Sequence, residues 1–402
     1  MIFYLFVIPI ISVLIIMIVP LIVKFIKFGH LFPSDVFLLG LFEYDSLLGY
    51  NISKNFKTKN LWNGSEKVKN NLGKFHKGMD KIVTINTERY RGNLHSTKKA
   101  NGIYRIIVIG DSLAYCTQND DNYTWPALLE KELNNNYSRN KKFEVINFGV
   151  GGYNLYQSAM RYQRDYSDYE PDLLLNASFI IDWKYSRYAE KIFSRTNKDP
   201  FKCKTKMKRY LYQLFLLSPP YYIFSKLQKI SVNYQIKEKE NYFININKYR
   251  ENYLSDNYWI KAYTNNFEKL YKLIKSKSSS AKIYSISFPV LMSTAEFYIN
   301  PNNTNLPNSL MLNIPRGYNY KDPIIIEHHK KYLAHSYLFN EFLVDLSNKY
   351  NDCGTISSFD TINKYPLENR DKIFVDDFHL NNKGSCLFAK DISKYLIDNV
   401  IN

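Results

Sequence analysis

The chain has 402 residues and a formal net charge of +17. That length buries one large core, or one core and a smaller lobe. The basic surplus favours anionic partners, but Lys, Asn, Ile and Tyr are abundant throughout, which marks a compositional bias. No long basic run, zinc-finger spacing or aromatic RNA-binding signature accompanies the charge, so nucleic acid is not an expected partner. The four cysteines, Cys116, Cys203, Cys353 and Cys386, form no CxxC pair and are too few for a disulfide scaffold. Cys353 and Cys386 fall late in the chain, where they could be neighbours.

Residues from Ile2 to Ile26 are almost wholly apolar, with Pro9 and Pro20 as breakers and Lys24 near the end. That run is long enough for a hydrocarbon core of about 30 Å. It lacks an early Lys or Arg and a following Ala-x-Ala, so it predicts an uncleaved anchor over 1–27 rather than a signal peptide. Lys24 and Lys27 follow the span, and the positive-inside rule taken literally keeps the large domain in the cytoplasm. Long domains, however, cross largely regardless of charge. Residues 28–100 are rich in Lys, Asn and Gly and predict a connector, with short extended pieces at Asp45–Tyr50 and Thr84–Asn86.

From Tyr104 onward, strand and helix patterns alternate. Tyr104–Ile109 is a short, mostly apolar strand of the buried kind. Thr124–Leu133 predicts a helix with Thr124 as N-cap and Pro126 in its first turn. A strand at Phe143–Asn147, a helix at Asn154–Asp165 and a strand within Leu173–Ile181 follow. Residues 184–257 are basic and Tyr-rich without a clear strand signal, and predict a mostly helical insertion. A helix at Tyr258–Lys275 and a strand at Lys282–Ser287 come next, then a loop insertion at 290–322. A long helix at Ile324–Tyr350, a weak strand near Thr355 and a helix at Asn382–Val400 complete the chain. Such alternation implies an α/β domain over 101–402 with a parallel sheet and helices on both faces. Sites in such sheets gather at the carboxyl ends of the strands.

Ser112 lies at one of those ends, in Ile106-Ile107-Val108-Ile109-Gly110-Asp111-Ser112-Leu113. A serine hydroxyl is a weak nucleophile until a base takes its proton. Far downstream, Asp376-Asp377-Phe378-His379-Leu380-Asn381 supplies His379 as that base and Asp376, three residues earlier, as the group that orients it. An oxyanion hole needs donors aimed at the tetrahedral intermediate. The Ser112 N–H at a helix start is one candidate. The Gly152 N–H is the second, in Gly149-Val150-Gly151-Gly152, where backbone approaches a ligand closely.

Gly110-Asp111-Ser112-Leu113, Asn147-Phe148-Gly149-Val150-Gly151-Gly152 and Asp376-x-x-His379-Leu-Asn resemble the first, second and fifth blocks of the SGNH (GDSL) hydrolases. The resemblance covers roughly residues 104–400. It implies a three-layer α/β/α flavodoxin-like fold. It also implies Ser112 as nucleophile, Asp376 and His379 as its partners, and Gly152 as an oxyanion donor, with Asp111 and Asp182 in support. Asp45 to Tyr50 and Asn86 to Gly92 are similar to the Asp-x-x-Leu-Gly-Tyr and Asn-x-x-x-x-Arg-Gly stretches ahead of membrane-anchored members. The third block departs from its Gly-x-Asn-Asp pattern. Asn176-Ala177-Ser178-Phe179-Ile180-Ile181-Asp182 keeps Asp182 but has Ile181 where the asparagine donor belongs. Losing one such donor costs on the order of a hundred- to thousandfold in rate. Asn176 lies too early to replace it unless a local bulge presents it.

Other candidates carry less. Glu327-His328-His329 falls within a predicted helix, where adjacent histidines face different ways, so no metal site is expected. Cys116, one turn after Ser112, reads as packing. Tyr185, Tyr188, Tyr210, Tyr212, Tyr221 and Tyr222 form either the core of a helical lid or a platform for sugars.

The leading expectation is an anchored, cofactor-free serine esterase acting on O-acyl groups of a surface glycan or lipid. An O-acyltransferase on the same scaffold and a catalytically weakened glycan-binding envelope protein are the alternatives. Anchored relatives and polysaccharide substrates place the domain outside the cytoplasm, against the lysine count.

Overall fold

The computed structural model describes residues 41–58, 67–69, 75–77, 82–137, 141–179, 182, 243–245, 250, 257–290, 309–311, 323–357, 359–365, 367–375 and 378–401. The expected anchor over 1–27 lies outside these residues. No helix among the described residues is long and apolar enough to cross a membrane.

The first described elements are two strands, β1 (Phe42–Asp45) and β2 (Gly49–Ile52), paired antiparallel. The central sheet has five strands: β3 (Ile103–Gly110), β4 (Lys142–Asn147), β5 (Leu173–Ala177), β6 (Lys282–Ile286) and β7 (Cys353–Ile356). They pair in parallel in the order β7-β6-β5-β3-β4. Counted from β3, that is the 2-1-3-4-5 order of a flavodoxin-like sheet. The chain reverses direction across the sheet between β3 and β5, and this switch point opens a crevice at their carboxyl ends.

Helices among the described residues that accompany the sheet include α1 (Ser112–Tyr115), α2 (Trp125–Asn136), α3 (Leu155–Arg161), α4 (Asn257–Lys277), α5 (Pro323–Ser347) and α6 (Asn382–Leu396). The Trp125 ring of α2 meets the Phe388 ring of α6 edge-on. Trp259 and Tyr263 of α4 meet Phe339 of α5. These pairings define two helical layers with the sheet between them. Ile106–Ile109 and Leu173–Leu175 are buried completely or nearly so, as expected of parallel strands covered on both faces.

Each sequence-predicted element of the sheet domain is present, with ends moved by a few residues. Local chemistry explains the boundaries. Thr124 caps α2 by accepting from the Ala127 N–H, with proline in the first turn. Asn154 and Gln157 form a reciprocal capping box on α3, which satisfies two otherwise unpaired backbone donors.

Two features depart from the sequence reading. The described parts of 28–100 are built into the domain. Leu48, Tyr50, Ile52, Val83 and Ile85 form a second core with Tyr115, Val150 and Tyr153, and Tyr90 joins the main one. Leu48, Tyr50 and Ile52 alternate as in a strand, as do Val83 and Ile85, but each run is too short to mark a buried core in the sequence. In addition, the insertion at 184–257 contains a strand. Phe243–Asn245 pairs antiparallel with Ser309–Met311 of the other insertion. The six insertion tyrosines singled out above lie outside the described residues.

Candidate active site

Ser112 is the first residue of α1, immediately beyond β3. The turn requires Gly110, whose φ is +145°, and a Cβ there would lie 2.5 Å from the Ala177 carbonyl group on β5. Asp111 is fully buried and caps α1. One carboxylate oxygen accepts from the Leu113 N–H at 2.8 Å, and the other from the Phe179 N–H at 3.4 Å. Asp111 therefore ties the serine turn to the loop after β5.

Three more side chains hold α1 by its carbonyls. Trp125 donates its indole N–H to Leu113 O at 2.9 Å, and Asn147 donates to Ala114 O at 2.8 Å. Arg91 is 4% exposed and donates to the carbonyls of Tyr115, Cys116 and Asn119 at 2.5–2.9 Å. Its Nε pairs with Asp121 at 2.8 Å. Sequence reasoning placed Arg91 and Asn147 inside motif stretches but gave neither a task.

His379 arrives from the other end of the chain. The loop that carries it is pinched at its base: Val375 N–H donates to His379 O, and Asn381 N–H to Ile373 O. Asn381 caps α6 through the Gly384 N–H and donates its amide to Lys372 O. The Arg370 guanidinium is fully buried and donates to the carbonyls of Tyr365 and Asn363. The outcome is a contact of 2.9 Å between His379 Nε2 and Ser112 Oγ, across 267 residues of sequence. That is the contact a general base needs with its nucleophile. Asp376, the expected orienting acid, lies outside the described residues.

Gly152 follows β4 in a turn, with φ of +86°. Among the described residues, neither the Gly152 nor the Ser112 N–H donates to a backbone carbonyl. Asp182 is fully buried, and both of its oxygens accept from the Leu155 N–H, at 3.0 and 3.1 Å. Burial pushes its carboxyl well above the usual carboxylate range, and the nearby Asp111 pushes in the same direction. Asp182 thus joins the loop after β5 to the start of α3, just beyond the glycine block.

Asn176 does not substitute for the missing asparagine. It sits in regular β5 register, opposite Ile109 and Ser285, with no bulge. Its amide donates to Tyr263 Oη at 2.8 Å and to Ser285 Oγ, within the sheet–helix interior. Ile181 lies outside the described residues.

Beside Ser112 and His379 is a cavity of about 10 Å³, walled in part by Phe288, Phe378 and Leu380. It has room for about one water or one methyl group. The Cys116 thiol also borders it, and burial pushes that thiol up to about 12. Cys116, Cys353 and Cys386 are all free thiols, so Cys353 and Cys386 are not bonded to each other. Among the described residues, no group of three or more His, Cys, Asp or Glu side chains is placed to hold a metal ion. Glu327, His328 and His329 lie on α5.

No protein-family model and no curated protein matches the chain. Among solved structures it is similar to a candidate GDSL-like lipase from Parabacteroides merdae, at 15% identity and a TM-score of 0.35, covering 72% of this chain and 94% of that one. It is similar to an acetyl xylan esterase at 14% identity and a TM-score of 0.34, covering 73% and 99%. A two-domain esterase active on acetylated mannans is similar at 12% identity and a TM-score of 0.36, and the chain spans about half of its length (75% and 51% coverage).

Proposed function

We propose that the chain is a serine esterase that removes short O-acyl groups from a cell-surface glycan or lipid. The observation that carries this reading is the 2.9 Å contact between Ser112 Oγ and His379 Nε2, at the crevice where the sheet order reverses. His379 takes the hydroxyl proton as Ser112 Oγ attacks the acyl carbonyl carbon. The carbonyl oxygen gains the charge, and the Ser112 and Gly152 N–H groups hold it. His379 returns the proton to the departing alcohol, leaving an acyl-serine. Water, deprotonated by the same imidazole, then releases the acid. A second sugar hydroxyl in the place of that water makes the reaction an acyl transfer. Asp376 is assigned the orientation of His379 through the other ring nitrogen. The small cavity beside the pair, walled in part by Phe288, Phe378 and Leu380, supports a short acyl group.

The apolar Ile2–Ile26 segment supports an anchor in the membrane. The +17 charge suits an anionic envelope surface. We place the domain outside the cytoplasm, where such acylated glycans lie. A C-terminal reporter active on one side of the membrane only tests that orientation.

A second reading, a weakened glycan-binding envelope protein, rests on Ile181 and on the engaged amide of Asn176. One experiment separates the two: labelling of the full-length chain by a fluorophosphonate probe, beside Ser112→Ala. Labelling lost in the variant establishes an activated Ser112. A folded wild-type chain that takes no label removes the esterase reading and leaves the binding protein.

A further inference from the structure

Tyr50 reaches the site from a segment far outside the sheet domain's own sequence. It lies on β2, is 6% exposed, and donates its hydroxyl to Gly151 O at 2.9 Å. Its ring is held edge-on by Phe42 and Tyr153. The Tyr153 hydroxyl in turn donates to the Tyr50 carbonyl. Gln157, in the first turn of α3, donates to Leu48 O at 2.8 Å, which fastens the β1–β2 turn to the start of that helix. Asp45 closes the turn by accepting from the Leu47 and Leu48 N–H groups.

The peptide that Tyr50 grips is the one between Gly151 and Gly152. A trans peptide is planar, with its C=O and N–H on opposite sides, and no cis peptide occurs among the described residues. Fixing the Gly151 carbonyl therefore fixes the direction of the Gly152 N–H. This peptide needs such a grip, because a glycine on each side leaves backbone sterics with little preference between the two orientations. It also lies in a turn, where no strand ladder or helix fixes it.

We propose that Tyr50 is a positioning residue for the oxyanion hole: its hydroxyl pins the Gly151–Gly152 peptide so that the Gly152 N–H faces the reacting carbonyl. The catalytic meaning rests on the esterase reading, whereas the pin itself does not. The same contact accounts for glycine at 152, since a Cβ there would lie 2.7 Å from the Tyr50 hydroxyl oxygen. It also gives the Asp-x-x-Leu-Gly-Tyr stretch a task in the site.

The test is Tyr50→Phe in the full-length chain, which removes one oxygen and keeps the ring contacts. The chain has 15 glycines but a single Gly-Gly step. Labelling glycine with ¹³C at the carbonyl and ¹⁵N at the amide therefore yields one amide–carbonyl correlation, that of Gly151–Gly152. In Tyr50→Phe we expect this signal to shift and to broaden or split. We also expect kcat for p-nitrophenyl acetate to fall about tenfold or more, approaching the loss of a full oxyanion donor, with KM within about twofold. An unmoved signal overturns the pin, whatever the activity. A moved signal with unchanged kcat overturns its role in the oxyanion hole. If the signal moves but the wild-type chain shows no Ser112-dependent turnover, the pin stands and the esterase reading falls.

Discussion

The serine and the histidine reach the site on arms of different construction. The serine arm is a strand end and one helical turn, capped by its own Asp111 and gripped by Trp125, Asn147 and Arg91, which come from three separate places in the chain. The histidine arm is a loop closed on itself by Val375, Ile373 and Asn381 and seated by Asn381 and Arg370. Among the described hydrogen bonds, the first arm is held mainly from outside by buried side chains, and the second by several bonds to its own neighbours in sequence. A nucleophile that must meet its oxyanion donors gains from rigid placement.

The strongest test is whether the two arms act as one device. Ser112→Ala and His379→Ala should each lower p-nitrophenyl acetate hydrolysis by about 10³-fold or more. The double variant should be no worse than either single one, because groups acting as a unit are not additive. Additive losses in a double-mutant cycle would break the pairing.

Next in size is the grip on the serine arm. Arg91→Ala takes the guanidinium from the buried Tyr115 and Asn119 carbonyls, while Cys116 O keeps the Asn119 N–H; each lost partner costs on the order of 1–3 kcal/mol. We expect a loss of about 3 kcal/mol or more in urea unfolding, and a variant as stable as wild type would show that the grip is idle.

The pH dependence of Asp182 comes next. Its folded-state pKa is raised, so above its ordinary value of 3.8 the folded chain holds a proton that the unfolded chain has lost. Stability from this group is full below that value and drains as pH rises toward the folded pKa, at up to about 1.4 kcal/mol per pH unit. In Asp182→Asn this loss of stability as pH rises above 3.8 should disappear, and an unaltered slope in urea melts would refute it. The smallest effect belongs to the histidine arm. Asn381→Ala removes a helix cap and should cost about 1 kcal/mol. A cost equal to that of Arg91→Ala would erase the contrast between the arms.

The order of strands and helices from Tyr104 onward was legible because buried parallel strands read as apolar runs and amphipathic helices read as stripes. Ser112 and His379 were legible because their chemistry is carried by residue type, and the structure brings them together. The buttresses were not. A buried arginine that serves carbonyls, such as Arg91, looks in sequence like any surface arginine, and the hydroxyl of Tyr50 is one among 35 tyrosines. The bulge considered for Asn176 did not materialise, because its neighbours continue the β5 ladder without a break. The pairing of Phe243–Asn245 with Ser309–Met311 was hidden because three-residue strands carry too little periodicity to register.

Burial has a consequence for the reactivity of the Cys116 thiol. Only the thiolate reacts readily with peroxide, disulfides or alkylating agents. With its ionisation pushed up to about 12 and its side chain enclosed, Cys116 stays off the path from sulfenic to sulfonic acid. Iodoacetamide and mild peroxide should therefore leave the Cys116 thiol, one helical turn from Ser112, unmodified.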